Sequence, residues 1–199
     1  HVFYRNTKAT PPCATLAEGC YIVDSNGKRY LDGSSGAAVN AFGHNHPAIL
    51  SAIQAQLKCV SGTYNAMFTS TPQEELAKHI FELSDGHLAR SVFSSSGTAA
   101  VEVAIKLARQ YHVERGQSQR VQVISREKSY HGNTMGSMSV SGNDMPMHKP
   151  YTYSATKIPA YSPYREKPDN ETEDEYGLRC ANALEAAILE LGPNTVSSF

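Results

Sequence analysis

The chain contains no tryptophan, no long apolar run and no excess of charge of either sign. Its 18 Lys+Arg against 19 Asp+Glu leave a formal net charge of −1. Nucleic acids and anionic membrane surfaces both require a sign-biased field, so neither is expected as a partner. The apolar runs are a few residues long, far short of the roughly 18 that span a bilayer. No signal-peptide pattern opens the chain. Cysteine is scarce too. Cys13, Cys20, Cys59 and Cys180 form no C-x-x-C and cluster with no histidine. Neither a zinc site nor a dense disulfide framework is expected, and the thiols read as reduced ones in a cytoplasmic compartment. Asn170-Glu171-Thr172 is a formal glycosylation sequon, taken as chance without a secretory signal.

What remains is 199 residues with 40% hydrophobics and 11 tyrosines, enough for one large domain or two small ones of mixed α/β type. The first residue is His1, and at the other end a strand-like Thr195-Val196-Ser197-Ser198-Phe199 follows a Gly192-Pro193 stop. Both ends read as cut, so the chain is expected to be a fragment.

Along the chain, Tyr21-Ile22-Val23 and Tyr30-Leu31 flank an Asn26-Gly27 turn, a strong hairpin signal. A Gly/Ser/Ala-rich stretch, residues 32–40, is expected to be extended or loop. Pro47 suits a helix's first turn, and Leu50, Ile53, Leu57 and Val60 then share a face. Thr71-Pro72-Gln73-Glu74 reads as an N-cap Thr, an N1 Pro and the Glu of a capping box. Leu76, Ile80 and Leu83 carry that helix to Asp85-Gly86. Residues 91–93 read as a strand, 99–111 as an apolar, buried helix, and 121–124 as the next strand. Residues 91–124 thus form an expected βαβ unit with parallel pairing. Residues 142–175 read as a long loop. Ala181, Leu184, Ile188 and Leu191 then mark a last helix.

The turn Ser94-Ser95-Ser96-Gly97-Thr98 joins the first of these strands to the helix. Gly97 permits backbone angles that turn successive amides into one concavity, the helix dipole adds positive potential, and Thr98 brings a hydroxyl. That is what a phosphate monoester needs. From these residues alone, an N-cap with a tight-packing glycine is the commoner reading. No GxGxxG and no GxxxxGK[ST] is present, so the dinucleotide and P-loop fingerprints are missing. Tyr130-His131-Gly132-Asn133 follows the next strand, at the carboxyl edge where ligands of open α/β sheets bind. Its tyrosine suits stacking on a flat heteroaromatic ring, or is an ordinary loop residue.

In this order the pieces resemble one family. Ser96-Gly97-Thr98-Ala99-Ala100-Val101-Glu102-Val103-Ala104-Ile105-Lys106-Leu107-Ala108-Arg109 is similar to the phosphate-binding signature of class III aminotransferases, which use pyridoxal 5′-phosphate (PLP). Tyr130-His131-Gly132 resembles their ring-stacking motif. The stretch from Val23-Asp24 to Gly36, followed by Gly43-His44-Asn45-His46-Pro47, resembles their amino-terminal segment. The resemblance runs from about Cys20 to Ser141.

It implies a partial fold type I PLP-transferase: a mostly parallel sheet flanked by helices, after a small N-terminal hairpin and helix segment. Residues 1–60 would belong to the small domain and 61–199 to the first part of the large cofactor-binding domain. Ser96, Gly97 and Thr98 would hold the cofactor phosphate, Tyr130 would stack on its ring and His131 would support it. Gly36 and Ala37 would stand at the substrate side, and Phe68 and Thr69 in a region that approaches a partner subunit's site. The two histidines of Gly43-His44-Asn45-His46-Pro47 would build a turn rather than bind a metal. Two departures stand out. Ala99 replaces an acidic residue that many members carry. The biotin-pathway branch also lacks that acid, but it carries paired bulky aromatics where this chain has Gly36-Ala37. A smaller or differently shaped amine is therefore expected.

The family's Schiff-base lysine and the aspartate on the pyridine nitrogen are expected downstream of Phe199. No catalytic residue is assigned within the chain, and Lys106, two turns into its helix, is no substitute. The resemblance implies a cytoplasmic homodimer moving an amino group from an amine or amino acid to a keto acid or aldehyde, with the 199 residues alone inactive. The alternatives are a truncated, non-catalytic binding or interaction protein, and a PLP aminomutase or decarboxylase of the same fold.

Overall fold

A computed structural model describes residues 1–4, 6–142 and 146–199. The chain divides into two compact units, His1–His87 and Leu88–Phe199.

The first unit opens with an antiparallel sheet of β1 (Ala14–Glu18), β2 (Tyr21–Asp24) and β3 (Arg29–Leu31) in sequential order. The hairpin forms where Asn26-Gly27 placed it, with Gly27 at φ +77°. The buried carboxylate of Asp24 organises the turn, accepting from the amides of Asn26 (2.9 Å) and Lys28 (3.0 Å) and from the Tyr30 hydroxyl (2.9 Å). These bonds, that from Tyr30 foremost, hold the Asp24 pKa below its ordinary value. β1 was not expected. It pairs with β2 in a register that sets Leu16 opposite Val23 and Ala17 opposite Ile22. α2 (Pro47–Cys59) starts at its proline, as expected.

The cap of α3 (Thr71–Leu83) differs from expectation. Ser70 is the N-cap residue and Pro72 is the second residue of the helix. Glu74 takes the hydroxyl of Thr69 at 2.6 Å instead of closing a capping box. Residues 32–40 are also not simply loop. α1 (Ser35–Ala38) is one turn in which Ser35, Gly36, Ala37 and Ala38 all have positive φ, from +48° to +67°.

The second unit holds a parallel sheet in the order β5-β4-β6, made of β4 (Gln122–Arg126), β5 (Thr156–Ile158) and β6 (Val196–Ser198). Parallel neighbours need long crossovers. α5 (Met135–Val140) lies in the connection from β4 to β5, and α6 (Pro163–Glu166) and α7 (Glu173–Leu191) in the connection from β5 to β6 on the far side of β4. Thr172 caps α7 in a reciprocal box with Glu175. The core is Ile124, Ile158 and Ala187, packed by Ala183, Leu184, Ile188, Leu191 and Val196. α4 (Gly97–Glu114) lies against α5 and β6. Its His112 donates from Nε2 to the Ser197 carbonyl at 2.9 Å. The Arg120 guanidinium holds the Pro193 and Val196 carbonyls, each at 2.8 Å. β6 is thereby fastened by long side chains as well as by its ladder.

Five expectations are corrected here. Residues 91–93 join no strand ladder among the described residues: the parallel sheet is β5-β4-β6 alone, and Val92 is exposed. The βαβ unit of residues 91–124 is therefore not formed. α4 is not a buried helix either, because no residue in it is fully buried and Leu107, Tyr111 and Val113 face outward. The stretch 142–175 is more regular than a loop, holding a 3-10 turn at Lys149–Tyr151, then β5, α6 and the start of α7. Within it, residues 143–145 lie outside the described residues. On α7 the packing face runs through Ala183, Leu184, Ala187, Ile188 and Leu191, while Ala181 is exposed. The i+4 and i+8 spacing from Ala183 describes that face better than a start at Ala181.

Candidate active site

Ser96 sits in extended backbone (φ −161°, ψ 160°), and its hydroxyl accepts the Ala99 amide at 3.1 Å. The Ser96 carbonyl accepts the Ala100 amide at 3.0 Å. The Gly97 and Thr98 amides occupy the first two helical positions, where no carbonyl precedes them to bond. An 18-residue helix thus begins with two free donors, a capping hydroxyl and the positive end of its dipole. Gly97 contributes differently from expectation. It is not among the residues with positive φ, and a Cβ built on it meets nothing within 4 Å. What it leaves is room, not an unusual backbone.

The structure brings the second motif onto this turn. Gly132 is buried with φ +133°. A Cβ there would overlap Thr98 Oγ1, lie 2.8 Å from Thr98 Cγ2 and lie 2.7 Å from Ser137 Oγ. Only glycine lets the loop close on Thr98. Its neighbours diverge: Tyr130 is 63% exposed, while His131 turns inward, its amide donating to the Ser141 hydroxyl at 3.0 Å. His131 lines a cavity of about 440 Å³ with apolar side chains that include Val101, Ile105, Val123 and Val140.

Ser96, Gly97, Thr98, Tyr130 and His131 all lie in the second unit, whereas Gly36 and Ala37 lie in the first. Both of the latter are exposed on the left-handed turn (φ +61° each). Phe68, also in the first unit, is exposed. The histidine turn is organised by side chains. Asn40 Nδ2 donates to His44 Nδ1 at 3.0 Å, which leaves Nε2 to donate to Asp32 Oδ2 at 2.8 Å. That bond first, then one from the Ser34 hydroxyl, holds the Asp32 carboxyl below the usual range. Both His44 ring nitrogens are thus engaged, and His46 is the N-cap residue of α2. Among the described residues, no group of three or more His, Cys, Asp or Glu side chains could hold a metal ion, and no helix is long and apolar enough to cross a membrane.

Two residues near the site went unnoticed in the sequence. Glu102 reaches from α4 to α5, where it accepts from the Thr134 hydroxyl and the Ser137 amide. Thr134 and Ser137 cap α5 reciprocally, and nothing local in the sequence announced a carboxylate 32 residues away. Lys157, assigned to a loop by sequence, stands on β5. Its amine donates to Ser125 Oγ (2.7 Å) and the Ser139 carbonyl (3.0 Å), and burial lowers its pKa.

A family model described as Aminotransferase class-III matches residues 2–199. An uncharacterized aminotransferase of Schizosaccharomyces pombe is 34% identical over 203 residues, covering 100% of this chain and 44% of that protein. The uncharacterized aminotransferase YodT of Bacillus subtilis is 36% identical over 189 residues, covering 94% of this chain and 42% of its own length. Among solved structures, an omega-aminotransferase from Paracoccus denitrificans superposes with a TM-score of 0.87 at 26% identity, over 99% of this chain and 45% of that one. A thermostable (S)-enantioselective omega-transaminase from Thermomicrobium roseum does so with a TM-score of 0.86 at 30% identity, over 100% of this chain and 46% of that one. The chain therefore spans less than half the length of the relatives it matches, and its α/β architecture is that of part of a PLP-dependent transaminase. On a match across residues 2–199, the chain belongs to the class III aminotransferase family.

Proposed function

We propose that the chain is the amino-terminal part of a PLP-dependent aminotransferase and carries its cofactor-phosphate site. The observation that supports this is the closure of the Gly132 loop onto Thr98 at the first turn of α4. The residues fit the group: free helix-start amides and the Thr98 hydroxyl suit a phosphate dianion, and open space above Gly97 admits it. Tyr130, exposed two residues before Gly132, offers a ring face for stacking. His131 lines a cavity, and its backbone amide ties the loop to the Ser141 hydroxyl.

When bound, the cofactor supplies a carbonyl that takes up the amine nitrogen and a ring that withdraws electrons from it. The chain's own residues bind and orient. Ser96 shapes the turn, the Gly97 and Thr98 amides grip the phosphate oxygens, and Tyr130 covers one face of the ring. No residue of the chain is assigned the covalent step. Lys106 is exposed on α4, eight residues beyond Thr98. The anchoring lysine and the ring-nitrogen carboxylate come from the remainder of the protein, and the chain alone does not transaminate. By the same family reading, residues 1–60 belong to a small domain and 61–199 to a large one, in a cytoplasmic homodimer. Gly36 and Ala37 border the substrate. Relatives bear names as different as gamma aminobutyrate transaminase and vanillin aminotransferase, so the family sets the reaction type and leaves the amine open.

The test is titration of the purified chain with pyridoxamine 5′-phosphate and with inorganic phosphate, followed by the ligand's absorbance and by calorimetry. Thr98→Ala and Tyr130→Ala are each expected to weaken pyridoxamine 5′-phosphate by about tenfold. Only Thr98→Ala weakens phosphate. Equal binding by the parent chain and both variants overturns the site, and turnover of an amine and a keto acid by the chain alone overturns the assignment of the covalent step elsewhere.

A further inference from the structure

Thr98 and Glu102 stand four residues apart on α4, which puts them on one face of the helix. Both meet the same loop. Thr98 receives Gly132, and the Glu102 carboxylate takes the Thr134 hydroxyl and, at 3.0 Å, the Ser137 amide. A Cβ at Gly136 would lie 2.6 Å from each Glu102 carboxylate oxygen, so glycine is what admits the carboxylate. The attachment is locked on its far side as well. Thr134 accepts from Ser137, and the Thr134 amide donates to Ser137 Oγ at 3.0 Å. Ser137 is fully buried. Residues 130–133 therefore hang between two fixed points: their start follows β4, and their end is tied to the helix whose first turn carries the proposed cup. Hydrogen bonds to a carboxylate are among the stronger side-chain bonds, and removing the acceptor leaves the Ser137 amide only its longer bond, 3.4 Å, to the Thr134 hydroxyl.

We propose that Glu102 is a positioning residue. It sets the placement of Tyr130 and His131 over the Ser96-Gly97-Thr98 turn without touching the ligand. This rests on the reading of that turn as a cofactor-phosphate site. The role predicts a split between two ligands. Inorganic phosphate needs only the first turn of α4, whereas pyridoxamine 5′-phosphate also needs the loop in place.

The experiment compares Glu102→Ala and Glu102→Gln with the parent chain. The glutamine keeps one acceptor oxygen at the same distance along the side chain. Glu102→Ala is expected to lose about tenfold in pyridoxamine 5′-phosphate affinity with phosphate affinity unchanged, and Glu102→Gln to recover most of it. Amide hydrogen exchange without ligand is the second readout. Residues 131–137 are expected to exchange about tenfold faster in Glu102→Ala and near the parent rate in Glu102→Gln. Equal losses for both ligands, or unchanged exchange at 131–137 in Glu102→Ala, overturn the positioning role. A parent chain that binds neither ligand overturns the cofactor-site reading instead, and the role of Glu102 as an orienter for a ligand falls with it, whatever exchange says about the clamp.

Discussion

Replacing Gly132 with alanine probes the point where the two motifs meet. The new methyl would overlap Thr98 Oγ1 and stand 2.8 Å from Thr98 Cγ2 and 2.7 Å from Ser137 Oγ, in a backbone held at φ +133°. Backbone strain of this kind costs about 1–3 kcal/mol, and overpacking a filled site costs about as much again. Together they amount to about 3 kcal/mol, or roughly 6–12 °C of melting temperature for a chain of this size. Gly97→Ala is the matched control. Its methyl meets nothing within 4 Å, and its backbone is ordinary, so melting should hold or rise slightly. Adding Thr98→Ala to Gly132→Ala removes two of the three clashes and should restore about 1 kcal/mol while leaving the φ strain in place. Thermal melting by circular dichroism of the four proteins reads all of this. If Gly132→Ala melts within about 1 °C of the parent, the loop does not rest on Thr98 and the shared site does not exist.

Two further outcomes follow from the packing and the ion pairs. Ile124, 1% exposed in the centre of the parallel sheet, should cost about 2–5 kcal/mol on truncation to alanine, read as a lower urea midpoint; a loss under about 1 kcal/mol would mean that β4 is not central. The Asp32 carboxyl is held low by His44 and Ser34, so its contribution is present above the unfolded carboxylate value and fades as pH falls through the lower, folded one. Acid titration followed by NMR of residues 32–44 should show that loosening at the acid end, and Asp32→Asn should already be loosened at neutral pH.

Elements with a complete local signal were legible in the sequence. The Asn26-Gly27 hairpin, the Pro47 helix start and the helix ending at Gly192-Pro193 all formed, because turn chemistry and 3.6-residue periodicity act over a few neighbours. Elements held by distant partners were not. β5 is three residues long, carries a threonine and a lysine, and exists because β4 offers it an edge. Residues 91–93 have the better strand composition and form none, because composition alone supplies no neighbour to complete a ladder. The apolar pattern of α4 suggested burial, yet only the face toward α5 and β6 is covered.

The same division runs through the candidate site. Residue types at short spacing settled the family motifs: Ser96, Gly97 and Thr98 at a helix start, and Tyr130-His131-Gly132 after a strand. Tertiary structure alone decided that Gly132 rests on Thr98, that Glu102 ties the loop to α4, and that Lys157 is half-buried between Ser125 and Ser139. Those relations join residues 18 to 35 positions apart. They depend on how the helices and strands pack, which no local run of side chains encodes.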